Sequence, residues 1–403
     1  MPNRPSWSAN KQPMTKDRII IVDILRGFAL LLIVLIHHVE HFDLFKEPQV
    51  NFVFLSATDK EVMRLSFLLI SGKAYSIFAL LFGLSFFIQM ENQAQKGIDY
   101  RGRFVWRMTI LLVIGFLHSL MYKGDILHIY ALLSFPLVLL YKVRTSILWV
   151  VAVLLVLQLP MLYHLIQSFI DANYVYVPPF KEYFEEGNKI YATGTIGEVI
   201  NYNVWKGRVT VWAWTFDNGR YLQLIALFII GLIMGRKRLF ENIEHRTKSL
   251  IIILVVSILL IFLLSTINSS FQTSDLTTLQ KGFIDKMLTS LVNLSATAGI
   301  IALVCLLYSR FKDWYVFELF SAYGKMSLTN YVSQAVLGVI LFYNFGFGLY
   351  KYLGSTWSLI LGGFIFLVQA LISKQWNEKF RYGPIEWFWR CLTKLDFGIK
   401  IKR

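Results

Sequence analysis

The residues best placed for chemistry lie in and just after the first apolar run: Asp23, Arg26, His37, His38, Glu40 and His41. An ionised side chain at the centre of a bilayer costs about 2.5–3.5 kcal/mol on insertion scales, so a run holding both Asp23 and Arg26 needs partners or a wet cavity. Asp23 precedes Arg26 by one helical turn, and the two can pair on one face. The spacing from Arg26 to His37 returns a 3.6-residue helix to nearly the same face, roughly 16 Å further along. His41 follows one turn later with Glu40 beside it, so one face carries an ion pair near one end and imidazoles near the other.

Two chemistries fit the imidazole end. His37, Glu40 and His41 match H-x-x-E-H, the inverted zinc-peptidase pattern, in which two imidazoles one turn apart grip zinc and the glutamate activates water. That pattern is short and no further acidic ligand follows it, so no metal is expected. The alternative is acid–base work: a neutral imidazole takes a proton from an acceptor hydroxyl or amine while a carboxylate such as Glu40 orients it. A third reading is that these residues only end the helix at the membrane interface.

The elements that hold these residues are apolar helices. Of 403 residues, 56% are hydrophobic and 16% charged, against about 25% charged in an ordinary soluble domain. The chain is therefore expected to be an all-α, polytopic membrane bundle of about ten transmembrane helices. The windows are 19–39, 64–90, 104–121, 126–141, 146–168, 221–236, 248–267, 286–308, 326–345 and 356–373. Most of the 40 Lys and Arg fall in the segments on the N-terminal side of the membrane, which predicts both termini inside. The net charge of +15 does not point to nucleic acid, because the basic residues sit between apolar runs rather than along one polar face. Cys305 and Cys391 offer neither a disulfide framework nor a thiolate site.

The resulting domains are a cytoplasmic tail (1–18), an N-terminal transmembrane half with the candidate site (19–168), an extracytoplasmic loop (169–220), a C-terminal transmembrane half (221–375) and a second cytoplasmic tail (376–403). The loop mixes Glu182, Glu185, Glu186 and Glu198 with Tyr174, Tyr176, Trp205, Trp212 and Trp214. It reads equally as an interfacial lid or an acceptor-binding surface.

Elsewhere, Lys73 lies in the second window, as a partner for Asp23 or a cavity-lining group. The basic block Lys96, Arg101, Arg103 and Arg107 orients helices or holds a phosphorylated ligand. Ala79, Gly83 and Ser85 permit close helix packing. Asp125 and His128 share a face at the start of the fourth window, where Asp125 also suits a cap. Asn330 and Gln334 can bond across helices, and Glu386 with Arg390 is spaced for a helix-surface ion pair.

The chain resembles the YeiB-like bacterial membrane proteins, the domain of unknown function 418. The matching pieces are Arg18 to Gly27 with Asp23-Ile24-Leu25-Arg26-Gly27, Leu81-Phe82-Gly83-Leu84, and Gly124-Asp125-Ile126-Leu127 with Tyr130-Ala131. Further on come Gly231 to Arg236, Gly324-Lys325-Met326-Ser327-Leu328-Thr329-Asn330-Tyr331, and the run from Arg381-Tyr382-Gly383-Pro384 through Glu386-Trp387-Phe388-Trp389-Arg390. The N-terminal half is also similar to the transmembrane acyltransferase superfamily, whose bacterial O-acyltransferases carry R-x10-H in the first helix; Arg26 and His37 fit it. Many YeiB-like members have Asn in place of this histidine.

The resemblance implies a multi-pass protein of the bacterial plasma membrane that moves an acyl group, acetyl above all, from cytoplasmic acyl-CoA to an extracytoplasmic hydroxyl or amine on a glycan or lipid-linked molecule. By that resemblance Arg26 would help bind the donor and His37 would serve in transfer; with the reading of the residues themselves, the candidate catalytic residues are His37, Glu40 and His41 and the candidate donor site Arg26, Asp23, Lys73, Arg101, Arg103 and Arg107. The partners expected are membrane lipid, a small-molecule donor and acceptor, and possible self-association as a homodimer, with no nucleic acid. A transporter of a small polar or amphiphilic molecule, or a non-catalytic membrane partner, is the alternative.

Overall fold

The computed structural model describes residues 19–46, 48 and 53–403. The tail 1–18 lies outside the described residues. The secondary structure is helical: α1 (Ile20–Val39), α2 (Val53–Leu69), α3 (Lys73–Ala94), α4 (Arg101–Ser119), α5 (Leu127–Leu140), α6 (Thr145–Val156), α7 (Leu159–Ile170), α8 (Lys181–Thr193), α9 (Ile196–Tyr202), α10 (Arg208–Asp217) and α11 (Arg220–Arg236). There follow α12 (Thr247–Gln272), α13 (Thr278–Arg310), α14 (Tyr315–Lys325), α15 (Ser327–Phe342), α16 (Ser355–Lys379) and α17 (Pro384–Lys394). Among the described residues the only β pairing is an isolated bridge from Phe380 to Lys402.

All ten apolar windows fall on helices, and the bundle is all-α as expected. Five helical stretches are long and apolar enough to cross a membrane, or up to seven if each bent pair forms one span. The bent pairs are α6 with α7, at 43°, and the stretch Ile196–Asp217 with α11, at 73°. The other three windows rest on α4, α5 and α15. Helix α5 has 14 residues and α15 has 16, short of the roughly 20 needed to span, and α4 opens with Arg101, Arg103 and Arg107.

The second window is not one uninterrupted helix. The chain breaks between α2 and α3, with Gly72 at φ +82°, a conformation that suits a residue without Cβ. The segment 169–220 is largely helical. Thr195 and Glu198 form a reciprocal cap that starts α9, a π-helical turn (Asn203–Gly207) follows, and α10 leads into α11. Helix starts of this kind satisfy the amides that an irregular loop would leave open.

Helix α1 is the hub. It packs on α3, α14 and α16, while α3 packs on α11, α4 on α5 and α17, and α12 on α13. Its closest neighbour is α14, because Gly27 meets the Phe320 carbonyl and Gly324 meets the Asp23 carbonyl so tightly that neither site has room for a Cβ. This backbone approach brings the polar start of α1 against the end of α14. Gly83 makes the same kind of contact with the Phe228 backbone of α11, as its small-residue neighbourhood predicts.

Two cavities on one helix face: the candidate functional site

Arg26 and His37 lie on one face of α1, with Ile33 between them at helical spacing. They open into two different cavities. Arg26 lines one of about 260 Å³, and His37 lines another of about 350 Å³. The two share four lining residues, Ile33, Tyr75, Ile126 and Tyr331.

At the Arg26 end, Nη1 donates to Asp23 Oδ1 at 3.1 Å and Nη2 to Ser85 Oγ. The expected Asp23–Arg26 pair is therefore present, and Asp23 is almost fully buried beneath it. The cavity also takes Arg107, Lys325, Arg381 and Arg390. Arg107 lies 3.6 Å from the ring centroid of Trp389, and Arg390 lies 4.4 Å from that of Tyr382. Stacked guanidinium groups keep their in-plane N–H donors available, and a cluster of them suits phosphate.

The one carboxylate in this wall, Glu386, accepts from the Leu328 and Thr329 amides at 2.6 and 3.1 Å and from the Thr329 hydroxyl. It closes the start of α15 rather than forming the helix-surface pair with Arg390 that its spacing suggests. Burial raises its carboxyl above the usual range, while the Thr329 bonds oppose that shift.

Three of the expected donor-site residues lie elsewhere. Arg101 pairs with Asp99 at 2.6 Å, and Arg103 is exposed. Lys73 sits at the first turn of α3, where Nζ donates to the Leu68 carbonyl at 2.6 Å. It closes the α2–α3 break and lines neither cavity. As candidates for ligand binding, the sequence marks Arg381 and Arg390 only as part of the basic C-terminal tail, one of the blocks that could hold a phosphorylated ligand, and does not mark Lys325.

At the other end, α1 terminates in three successive non-glycine residues with left-handed backbone: His41, Phe42 and Asp43, at φ 49°, 56° and 66°. Each such residue costs roughly 1–2 kcal/mol. The Phe42 ring packs against His37, His38, Tyr122 and Phe342, and Tyr343 donates to the Phe42 carbonyl at 2.8 Å. The turn carries Asp43 back to the wall that holds His37 and Glu40.

The zinc pattern does not assemble. His37 lines the cavity with its ring 5.2 Å from that of Tyr122. His41 points away, stacking on Phe342 at 4.8 Å, with Nε2 3.0 Å from Ser358 Oγ. Among the described residues no group of three His, Cys, Asp or Glu converges to hold a metal. His41 therefore braces α1 against α16 and does not stand beside His37. His38 likewise bonds its own helix, with Nδ1 2.7 Å from the Val34 carbonyl.

Glu40, Asp43, Lys123 and Arg220 complete the polar wall, with Trp214, Phe184 and Asn188 from segments preceding α11. Part of the region 171–220 thus faces the cavity. Burial and the neighbouring Asp43 push the Glu40 carboxyl up to about 8, with Arg220 pulling it down. Burial also raises Asp43, opposed by Lys123 and a hydrogen bond from Tyr122. The Lys123 ammonium is lowered by burial, against Asp43.

Behind this wall lies a cluster only half visible in the sequence. Asp125 receives His118 Nδ1 on one carboxylate oxygen and His128 Nδ1 on the other, both at 2.8 Å. It also caps the next helix by accepting from the His128 amide at 3.1 Å. Burial pushes the Asp125 carboxyl up, but the two imidazoles outweigh it and hold it well below the carboxylate range. The His118 ring is 5.4 Å from that of Tyr331, which lines both cavities.

Residues 234–396 match the family described as "Protein of unknown function (DUF418)". The chain is 25% identical over 408 residues to the uncharacterized protein YxaH of Bacillus subtilis (strain 168), covering 97% of this chain and 98% of that one. It is 26% identical over 434 residues to the uncharacterized protein YeiB of Escherichia coli (strain K12), covering 96% and 99%. An uncharacterized 39.9 kDa protein from the amylase 3' region of Bacillus acidopullulyticus is 25% identical over 405 residues, covering 96% of this chain and 97% of its own. The family match thus rests on residues 234–396, and the similarity to these uncharacterized bacterial proteins runs over nearly the whole chain.

Proposed function

We propose that this protein is a bacterial inner-membrane acyltransferase that takes an acyl group, acetyl above all, from cytoplasmic acyl-CoA and delivers it to an extracytoplasmic hydroxyl or amine of a glycan or lipid-linked molecule. The observation that carries the reading is the pair of cavities along one face of α1, one lined by five basic side chains and the other by His37 and Glu40. The phosphates of the donor would meet Arg26, Arg107, Lys325, Arg381 and Arg390, with both termini of the chain on that side of the membrane.

In the other cavity His37 accepts the proton of the acceptor hydroxyl or amine as the oxygen or nitrogen attacks the thioester carbonyl. The new ester or amide bond forms, the carbon–sulfur bond breaks, and CoA leaves as a thiolate that takes up a proton. With Glu40 pushed up to about 8, this group is largely protonated at neutral pH and can donate a hydrogen bond to the substrate. Labelled acetyl-CoA given to the purified protein tests the reading: binding and turnover support it, and absence of donor binding overturns it.

Back-to-back cavities also favour a second reading, a transporter whose substrate passes between them. Flux into proteoliposomes without any acyl-CoA would select that alternative.

A further inference from the structure

The four residues shared by both cavities have a role of their own. Ile33 projects from the α1 face between Arg26 and His37 and is 6% exposed. The other three are held from several directions. The Tyr331 hydroxyl oxygen accepts from the Ile126 amide at 3.1 Å, tying α15 to the turn before α5. The hydroxyl of Tyr75 donates to Gln223, its ring lies 3.6 Å from the Arg220 guanidinium carbon, and its carbonyl accepts from Tyr130 at 2.7 Å. The side chains of Ile33 and Ile126 are held by packing and the two tyrosines by these polar contacts, so the wall is a fixed frame around apolar side chains, of which Ile33 is the one on the Arg26–His37 face of α1. A thioester carbonyl held beside His37 must reach there past this frame if its CoA phosphates sit beside Arg26.

We propose that Ile33, Tyr75, Ile126 and Tyr331 form the barrier between the two sides of the membrane, and that Ile33 within it limits the donor to short acyl groups. The length filter rests on the acyl-transfer reading; the barrier does not. Cutting Ile33 back to Ala removes three carbons from the frame. One methylene in a fitted apolar pocket is worth about 10–200-fold in discrimination, so the change should be large.

Two measurements test this on the full chain. Asn188→Cys lines only the His37 cavity and Gln89→Cys only the Arg26 cavity, and the native Cys305 and Cys391 are buried. In sealed vesicles a membrane-impermeant thiol reagent should reach Asn188→Cys from one side and Gln89→Cys from the opposite side. Labelling of both from the same side overturns the barrier. In the second measurement, acetyl-CoA and butyryl-CoA are compared as donors. Ile33→Ala should raise the butyryl-to-acetyl rate ratio at least about tenfold, and Tyr331→Phe, which keeps the ring and removes the hydroxyl, should raise it less. An unchanged ratio in an Ile33→Ala protein with the parent's melting behaviour overturns the filter. If Ile33→Ala fails to fold, the milder Ile33→Val must raise the ratio for the filter to stand. Opposite-sided labelling with no acyl transfer by the parent overturns the acyl reading and the filter together, and leaves the barrier in place.

Discussion

Arg26 and His37 project from the same face of α1, yet each opens into a different cavity, with Ile33 in the wall between them. This relationship separates the roles of the two residues. Arg26 lies among the basic groups Arg107, Lys325, Arg381 and Arg390, whereas His37 lies among Glu40, Asp43, Lys123 and Arg220 at the far end of the helix.

Arg26→Ala is therefore expected to weaken binding of CoA, not to abolish it, because Arg107, Lys325, Arg381 and Arg390 remain. Each charge-assisted hydrogen bond lost is worth about 1.5–3 kcal/mol, so the dissociation constant should rise roughly ten- to hundredfold. Titration calorimetry with CoA checks this. Arg101→Ala and Arg103→Ala, which lie outside the cavity, should bind like the parent.

Asp125 is predicted to be a stability residue as much as a site residue. Asp125→Ala strands two buried imidazoles, at about 1–3 kcal/mol for each group left without its partner. Asp125→Asn keeps one acceptor oxygen and should lose less. Thermal unfolding of the two variants in detergent gives the comparison; equal melting of Asp125→Ala and the parent would count against the arrangement.

The face of α1 that carries Arg26 and His37 was legible because an ion pair and imidazoles interrupt an apolar run at helical spacing. The helices themselves were legible for the same reason, since apolar runs of bilayer length have few other solutions. Other parts were not. Lys325, Arg381 and Arg390 reach the Arg26 cavity only because α14 crosses α1 at Gly27 and Gly324 and α17 folds back on α4. That is a tertiary fact with no local signature. His118 joins Asp125 across a turn that breaks helical periodicity, so spacing revealed His128 and not its partner. The H-x-x-E-H spacing of His37, Glu40 and His41 assumes continuing helix, whereas the backbone turns left-handed at His41 and sends its ring toward Phe342 and Ser358.

Stability is expected to depend on pH through Glu40. The folded carboxyl titrates near 8, against 4.5 in its ordinary state. Between these values the folded chain binds more protons than the unfolded chain, so this group's contribution falls as pH rises through that window. Glu40→Gln, neutral throughout, should flatten the decline in melting temperature between about pH 6 and pH 8. A decline as steep in Glu40→Gln as in the parent would assign it to other groups.

The most direct test of acyl transfer is turnover of acetyl-CoA labelled in its acetyl group by the purified protein, parent against His37→Ala. The account predicts that the parent transfers the label to an added acceptor or slowly hydrolyses the thioester, and that His37→Ala still binds CoA but turns over at least about a hundredfold more slowly. A parent that does not bind the donor, or a His37→Ala protein as active as the parent, would contradict it.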